Sequence, residues 1–94
     1  MPNRDDLRPE VMAFAQAMEA NLQLRDYRQQ QSEILPMVRR IQEEAEEIND
    51  ALFHQGRGGP DVDFQDIAYR ATYIANFAMM IYGEAIKKAK AQDA

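Results

Sequence analysis

The residues of this sequence best suited to chemistry are the carboxylates of an acidic run at positions 43–50, EEAEEIND. Glu44 and Glu47 are three positions apart, a spacing at which two side chains project from the same side of a helix. Magnesium takes oxygen ligands, so this pair is suited to share one Mg²⁺ ion. An acidic helix face is more often only solvated, and the spacing alone favours this second interpretation.

Helices are the elements that must position these carboxylates. Alternating runs of β-branched residues are missing, whereas Ala, Gln, Glu and Met are abundant. Apolar residues at helical spacing predict three helices, at approximately 9–31, 33–55 and 62–91, within one domain over residues 1–94. The predicted fold class is all-α, a three-helix antiparallel bundle. A chain of 94 residues has a marginal core, so we expect it to self-associate.

Local signals mark the ends of these helices. Pro9 suits the first helical position of the first helix. Ser32 is a candidate N-cap for the second helix, and Pro36 offers an alternative start. Three glycines and a proline then form a break, after which the third helix is expected to begin with Asp61 or Asp63 as its cap.

Each predicted helix carries an apolar stripe. The stripe of the first helix is Val11, Ala15, Met18 and Leu22, and that of the second is Ile34, Val38, Ile41, Ala45, Ile48 and Leu52. The core stripe of the third helix is expected at Phe64, Ile67, Ala71, Ile74, Ala78, Ile81 and Ala85. A second stripe on that helix comprises Asp66, Arg70, Tyr73, Phe77 and Met80. We expect this second stripe at a subunit contact rather than at the wall of a ligand pocket.

Composition and charge disfavour several function classes. A formal net charge of -5 argues against binding to duplex nucleic acid, because phosphates repel an acidic surface. Cysteine is absent, which removes disulfides, thiolate metal sites and cysteine nucleophiles. The start lacks the apolar region of a signal peptide, and the longest uncharged run, residues 71–83, is too short to cross a membrane. These features predict a cytoplasmic protein without a membrane partner.

Three stretches carry a resemblance to a known family. EEAEEI at 43–48, followed by DAL at 50–52, resembles the first metal motif of MazG-like nucleotide pyrophosphohydrolases, Glu-Glu-x-x-Glu and an aliphatic residue. MAFAQAMEA at 12–20 and ANFAMMI at 75–81 resemble the two ends of a phage and prophage branch of that family. Together the three stretches cover most of the chain in the expected order.

The resemblance implies a magnesium-dependent enzyme that hydrolyses an NTP or dNTP to the monophosphate and pyrophosphate. Glu44 and Glu47 would bind Mg²⁺, and Glu43 would orient the attacking water or a ligand. The family also implies oligomerisation into a larger helical bundle, and we expect a homodimer or homotetramer. A second helix of the family supplies Glu-x-x-Asp, which completes a four-carboxylate site.

This sequence departs from the family at that second motif. At the positions where the branch that it resembles has Glu and Asp, this chain has Arg70 and Tyr73. A register shifted by seven residues, or two helical turns, places Asp63 and Asp66 there instead. The alternative explanation for Asp63 is that it only caps the helix, and capping by itself accounts for an aspartate at this position.

The segment after the first helix is the expected nucleotide contact. The family branch has a basic stretch with glycines and tryptophan there, whereas this chain reads RDYRQQQ at 25–31. Arg28 could contact phosphate and Tyr27 could stack on a base, although a tyrosine at a helix end is more often a packing residue.

Two classes of function therefore remain open. The first is a nucleotide-binding or nucleotide-hydrolysing MazG-like protein. The second is a catalytically inactive MazG-like scaffold that binds a protein partner or sequesters a nucleotide, such as a phage-encoded inhibitor acting in the host cytoplasm. Arg70 and Tyr73 discriminate between them: if they face the carboxylates of the second helix, Arg70 would neutralise Glu44 or Glu47 and remove the need for a metal.

Overall fold

The computed structural model describes residues 6–25, 33–54 and 62–93, and it contains three helices. α1 spans Pro9–Leu24, α2 spans Ile34–His54 and α3 spans Phe64–Asp93. No strand occurs within the described ranges. The predicted all-α, three-helix fold class is confirmed for this part of the chain.

The helices begin where local chemistry permits. α1 starts at Pro9, as predicted, where the missing proline N–H is not needed. α2 starts at Ile34, so Pro36 lies in its first turn, where a proline is tolerated. Ser32 and Asp61, the other candidate starting residues, lie outside the described residues.

Asp63 is the N-cap of α3. Its carboxylate oxygen Oδ1 accepts hydrogen bonds from the backbone N–H groups of Gln65 at 3.1 Å and Asp66 at 3.2 Å. These two groups would otherwise lack a partner at the start of the helix. The predicted capping role of Asp63 is confirmed.

The end predicted for the first helix was wrong. The sequence pattern extended this helix to residue 31, but α1 ends at Leu24. Arg25 has an extended backbone, with φ -121° and ψ 147°, and its N–H closes the last turn on the carbonyl of Asn21. The Arg25 side chain then reaches α3, a long-range contact that helical periodicity does not encode.

α3 is the central helix, and both other helices run antiparallel to it. From α2, Glu44 contacts Arg70 and Arg40 contacts Tyr73. From the end of α1, Arg25 contacts Tyr69, and Asn21 of α1 contacts Asn76. Since the order of partners is reversed in each pair, α1 and α2 run in the same direction on two faces of α3.

The hydrophobic core lies between α2 and α3. Met37 and Phe77 are fully buried, and Tyr73 packs edge-on to Phe77 with ring centroids 5.0 Å apart. The surrounding, partly buried residues are Leu22, Ile41, Met80 and Ile81. This core is small, as expected for a short chain.

The prediction of which face of α3 forms the core was wrong. Tyr73 and Phe77, which were expected at a subunit contact, are buried within the chain itself, whereas Phe64 and Ala78 of the expected core stripe are exposed. Ile81 is the member of the expected stripe that packs against the core cluster. α3 is apolar over much of its circumference, so periodicity did not determine which side would meet α2.

Many large apolar side chains remain exposed. They are Leu7, Val11, Phe14, Leu24, Leu35, Phe53, Phe64, Tyr69, Met79, Tyr82 and Ile86. None of the helices in the described ranges is long and apolar enough to cross a membrane.

Candidate functional site

The site lies where the acidic run of α2 crosses α3. Glu44 projects from α2 towards α3, and its side chain is only 13 % exposed. Arg70 on α3 donates from Nη1 to Oε1 of Glu44 at 2.9 Å and from Nε to Oδ2 of Asp66 at 3.0 Å. One guanidinium thus lies between two of the carboxylates that were predicted to bind magnesium.

Arg40 adds a second guanidinium from α2. Its Nη1 donates to Oε2 of Glu43 at 2.7 Å, and its Nη2 lies 3.8 Å from Oε2 of Glu44. The same Nη2 donates to the hydroxyl of Tyr73 at 3.1 Å. Glu44 is therefore paired with two guanidiniums, Arg70 across the helix crossing and Arg40 within its own helix.

Arg25 approaches the same region from the end of α1. Its guanidinium carbon lies 4.7 Å from the ring centroid of Tyr73 and 5.4 Å from that of Tyr69, within the range of cation–π attraction. Its Nε also donates to the Tyr69 hydroxyl. The tyrosines connect α1 to the charged cluster of α2 and α3.

Hydrogen bonds to carboxylates and to a tyrosine favour the charged form of two arginines in the cluster. The hydrogen bond that Arg70 donates to Asp66 is the main cause that raises the pKa of Arg70, and the bond that it donates to Glu44 adds to it. The hydrogen bond to Tyr73 is the main cause that raises the pKa of Arg40, with Glu43 contributing. Arginine is already protonated at every physiological pH, so these contacts keep two permanent cations beside the carboxylates.

The remaining predicted metal ligands do not join this cluster. Glu47 is exposed on α2, and Asp63 uses its carboxylate to cap α3. In the described part of the chain, no group of three or more His, Cys, Asp or Glu residues is arranged to hold a metal ion. The donors as placed do not fit magnesium, because the Arg70 guanidinium lies where a cation shared by Glu44 and Asp66 would lie. The four-ligand assignment stays a prediction.

The predicted nucleotide contacts, Tyr27 and Arg28, lie outside the described residues. Arg25 and Arg40 were not singled out from the sequence, although both belong to the cluster. The spacing of Arg40 from Glu43 and Glu44, three and four residues, was a usable signal for an ion pair on one helix. No comparable sequence signal exists for Arg25, whose contacts bridge separate helices.

Comparisons with protein-family models, with curated proteins and with solved structures found no significant match to this chain. The resemblance to the MazG-like family therefore rests on the residues of the three stretches alone, and it stays a prediction.

Proposed function

We propose that this protein is a MazG-like helical scaffold that has lost hydrolysis and acts by binding a protein partner. The observation that carries the proposal is the position of Arg70, which lies between Glu44 and Asp66 and donates a hydrogen bond to each of them. The guanidinium occupies the place that the resemblance assigns to a divalent cation.

Charge balance supports a metal-free role. The cluster contains three guanidiniums, from Arg25, Arg40 and Arg70, and three carboxylates, from Glu43, Glu44 and Asp66. Clustered carboxylates repel one another and need cations, but here the cations are part of the chain. A magnesium ion would first have to displace Arg70 from charge-assisted hydrogen bonds, the stronger class of protein hydrogen bonds.

The same balance favours a protein over a nucleotide as the ligand. A triphosphate binds where guanidiniums are available to it, whereas Arg40 and Arg70 already bond to carboxylates of the chain. Apolar side chains offer the alternative contact surface: Phe53 near the end of α2 and Phe64 at the start of α3 lie at the same end of the antiparallel pair, and each is more than half exposed. Neighbouring exposed apolar residues, rather than single ones, mark protein-binding surfaces.

A magnesium-dependent nucleotide pyrophosphohydrolase is the second candidate. Glu44 on α2 and Asp66 on α3 both accept hydrogen bonds from the same guanidinium. This favours the enzyme, because carboxylates from two helices lie close together around one position. With Arg70 turned away, these two residues would hold the ion, Glu47 and Asp63 would complete the predicted set, and Glu43 would orient water.

Thermal melting with EDTA, with magnesium, and with magnesium plus mixed nucleoside triphosphates tests both candidates, combined with a pyrophosphate-release assay. We expect the same Tm in all three conditions and no pyrophosphate above the buffer control. A magnesium-dependent rise in Tm together with pyrophosphate release would refute the metal-free proposal and establish the enzyme.

Arg70→Glu sharpens this test by replacing the internal cation with a third carboxylate beside Glu44 and Asp66. We expect the variant to gain magnesium binding, with Tm rising by roughly 5–10 °C at ten times the dissociation constant. Tyr73→Asp together with Arg70→Glu restores the family motif, but Tyr73 is buried in the core, so the single variant is the cleaner measurement. Arg39→Glu, on an exposed position of α2, is the control with the same change in charge. Unchanged magnesium affinity in Arg70→Glu would count against the idea that Arg70 substitutes for the metal.

A further inference from the structure

The side of α2 that points away from α3 carries a continuous line of exposed residues. Met37 and Glu44 face α3, and the line lies on the opposite side of the helix. Its members follow one another at intervals of three or four positions and therefore share one side of α2. This line, which we call the outer stripe, comprises the exposed residues Leu35, Arg39, Gln42, Glu46, Asp50 and Phe53.

Leu35 and Phe53 lie at the two ends of the outer stripe. They are 18 positions apart in the sequence. This separation equals five helical turns, so both side chains project in the same direction, about 27 Å apart along the axis. Leu35 is 58 % exposed and Phe53 is 60 % exposed. A lone exposed apolar residue is ordinary on a protein surface, but these two are in register and offer a partner that lies along α2 an apolar contact at each end.

Carboxylates dominate the outer stripe near Phe53. Glu46 and Asp50 belong to the stripe, and the exposed side chain of Glu47 flanks it. Glu43, on the same side, is paired with Arg40. Within the part of the chain that the structure describes, none of Glu46, Glu47 and Asp50 takes part in an ion pair. This surface is therefore available to positive charge from another molecule.

The stability of α2 gives no reason for these three carboxylates. Asp50 is four positions from Glu46 and three from Glu47, so the like charges repel one another along the helix. All three also lie in the second half of α2, towards the negative end of the helix macrodipole. The first turn, where a carboxylate would stabilise the helix, has no acidic residue. Binding to a positively charged partner does give a reason for their placement.

The charge of the outer stripe selects among classes of partner. Nucleic acids, nucleotides and anionic membranes are negatively charged, so this surface repels them. In a two-fold contact between copies of this chain, the same carboxylates would meet one another. A basic segment of another protein is complementary in charge. If that segment is an amphipathic helix, its apolar residues can contact both ends of the stripe.

We propose that the outer stripe binds a basic amphipathic helix of another protein. Large apolar side chains of that helix contact Leu35 and Phe53, and its lysines or arginines pair with Glu46 and Asp50. This proposal rests on the protein-binding function proposed above and names the surface and the chemistry of the partner.

Selection of peptides from a displayed library by the full chain tests the proposal, with charged and apolar residues randomised over helical peptides. We expect the enriched peptides to be basic and to carry two large apolar residues about five turns apart. The dissociation constant of the tightest peptide, measured by fluorescence anisotropy, should rise by roughly tenfold or more in Glu46→Lys. Glu19→Lys makes the same change of charge at an exposed position of α1, and its dissociation constant should stay within about twofold.

Glu46→Lys also separates a loss of binding from a loss of folding. The lysine replaces repulsion from Asp50 by attraction, so the Tm of the variant should stay the same or rise. Leu35→Ala and Phe53→Ala remove the apolar contacts, and each should weaken peptide binding by roughly tenfold. Tyr82→Ala, which removes an exposed aromatic ring of α3, is the control for these two variants.

Several outcomes would overturn the proposal. They are the enrichment of acidic or neutral peptides, the absence of any enriched peptide, and equal effects of Glu46→Lys and Glu19→Lys or of Phe53→Ala and Tyr82→Ala. Self-association that is lost in Glu46→Lys would overturn it as well, because a second copy would then cover the stripe. A chain that fails this test but shows no magnesium-dependent rise in Tm would keep its metal-free role and lose only the outer stripe.

Discussion

α3 packs against two helices in different ways. Its contact with α2 contains the fully buried side chains Met37 and Phe77, flanked by the ion pairs of Arg40 and Arg70. Its contact with α1 is centred on a buried polar pair, in which Asn76 donates to the side chain of Asn21 at 3.1 Å. Beside that pair lies a mainly apolar groove of about 310 Å³ lined by Ala17, Ala20, Asn21, Leu24, Ala68, Tyr69 and Thr72.

The difference teaches which part of the molecule is self-sufficient. Apolar burial at the α2–α3 contact supplies a driving force that needs no other chain. At the α1–α3 contact, Asn21 is the buried residue of α1, so a hydrogen bond sets the register there but little apolar surface is removed from water. α1 should therefore be the less stable element of the isolated chain and should gain most from a partner.

Phe77→Ala should have the largest effect, because it removes the largest fully buried side chain of the α2–α3 core. The expected loss is about 3–5 kcal/mol of the free energy of unfolding, a large part of the stability of a small domain. Urea denaturation followed by circular dichroism measures it. Phe64→Ala, at an exposed position, should cost far less; similar losses in the two variants would contradict the assigned core.

Asn76→Ala should loosen α1 selectively. Asn76 is fully buried and donates both to Asn21 and to the carbonyl of Met18, so its removal takes one donor away from each of these two acceptors of α1. We expect a cost of about 1–3 kcal/mol. Hydrogen exchange should show lost protection in α1 and nearly unchanged protection in α2. Equal losses in both helices would mean that the two contacts fold as one unit. Asn49→Ala, on the exposed side of α2, is the control.

Asp63→Ala should have the smallest effect, about 1 kcal/mol, because it removes only the cap of α3. Asp63→Asn keeps an oxygen acceptor and should retain most of the stability in EDTA. Thermal melts of both variants provide the measurement. If Asn proved as damaging as Ala only when magnesium is present, the negative charge of Asp63 would matter beyond capping, as expected of a metal ligand.

The long-range partners of the site could be predicted only conditionally. The acidic run predicted Glu44 as a site residue, and the departure from the family motif indicated that Arg70 and Tyr73 would discriminate between the two functions. Of the two alternatives for Arg70, the structure shows the one in which it pairs with Glu44, and it also pairs with Asp66. Tyr73 instead bonds Arg40 and fills the core, which the sequence pattern did not indicate.

The sequence by itself determined the three helices, the start of α1 at Pro9 and the cap of α3 at Asp63, because these features depend on neighbouring residues. Only the tertiary structure decided where α1 ends, which face of α3 meets α2 and which charges neutralise Glu44. Those outcomes depend on contacts between residues far apart in the chain. Because α3 offers more than one apolar side, its periodicity is compatible with several packings, and the fit of Met37 against Tyr73 and Phe77 selects one.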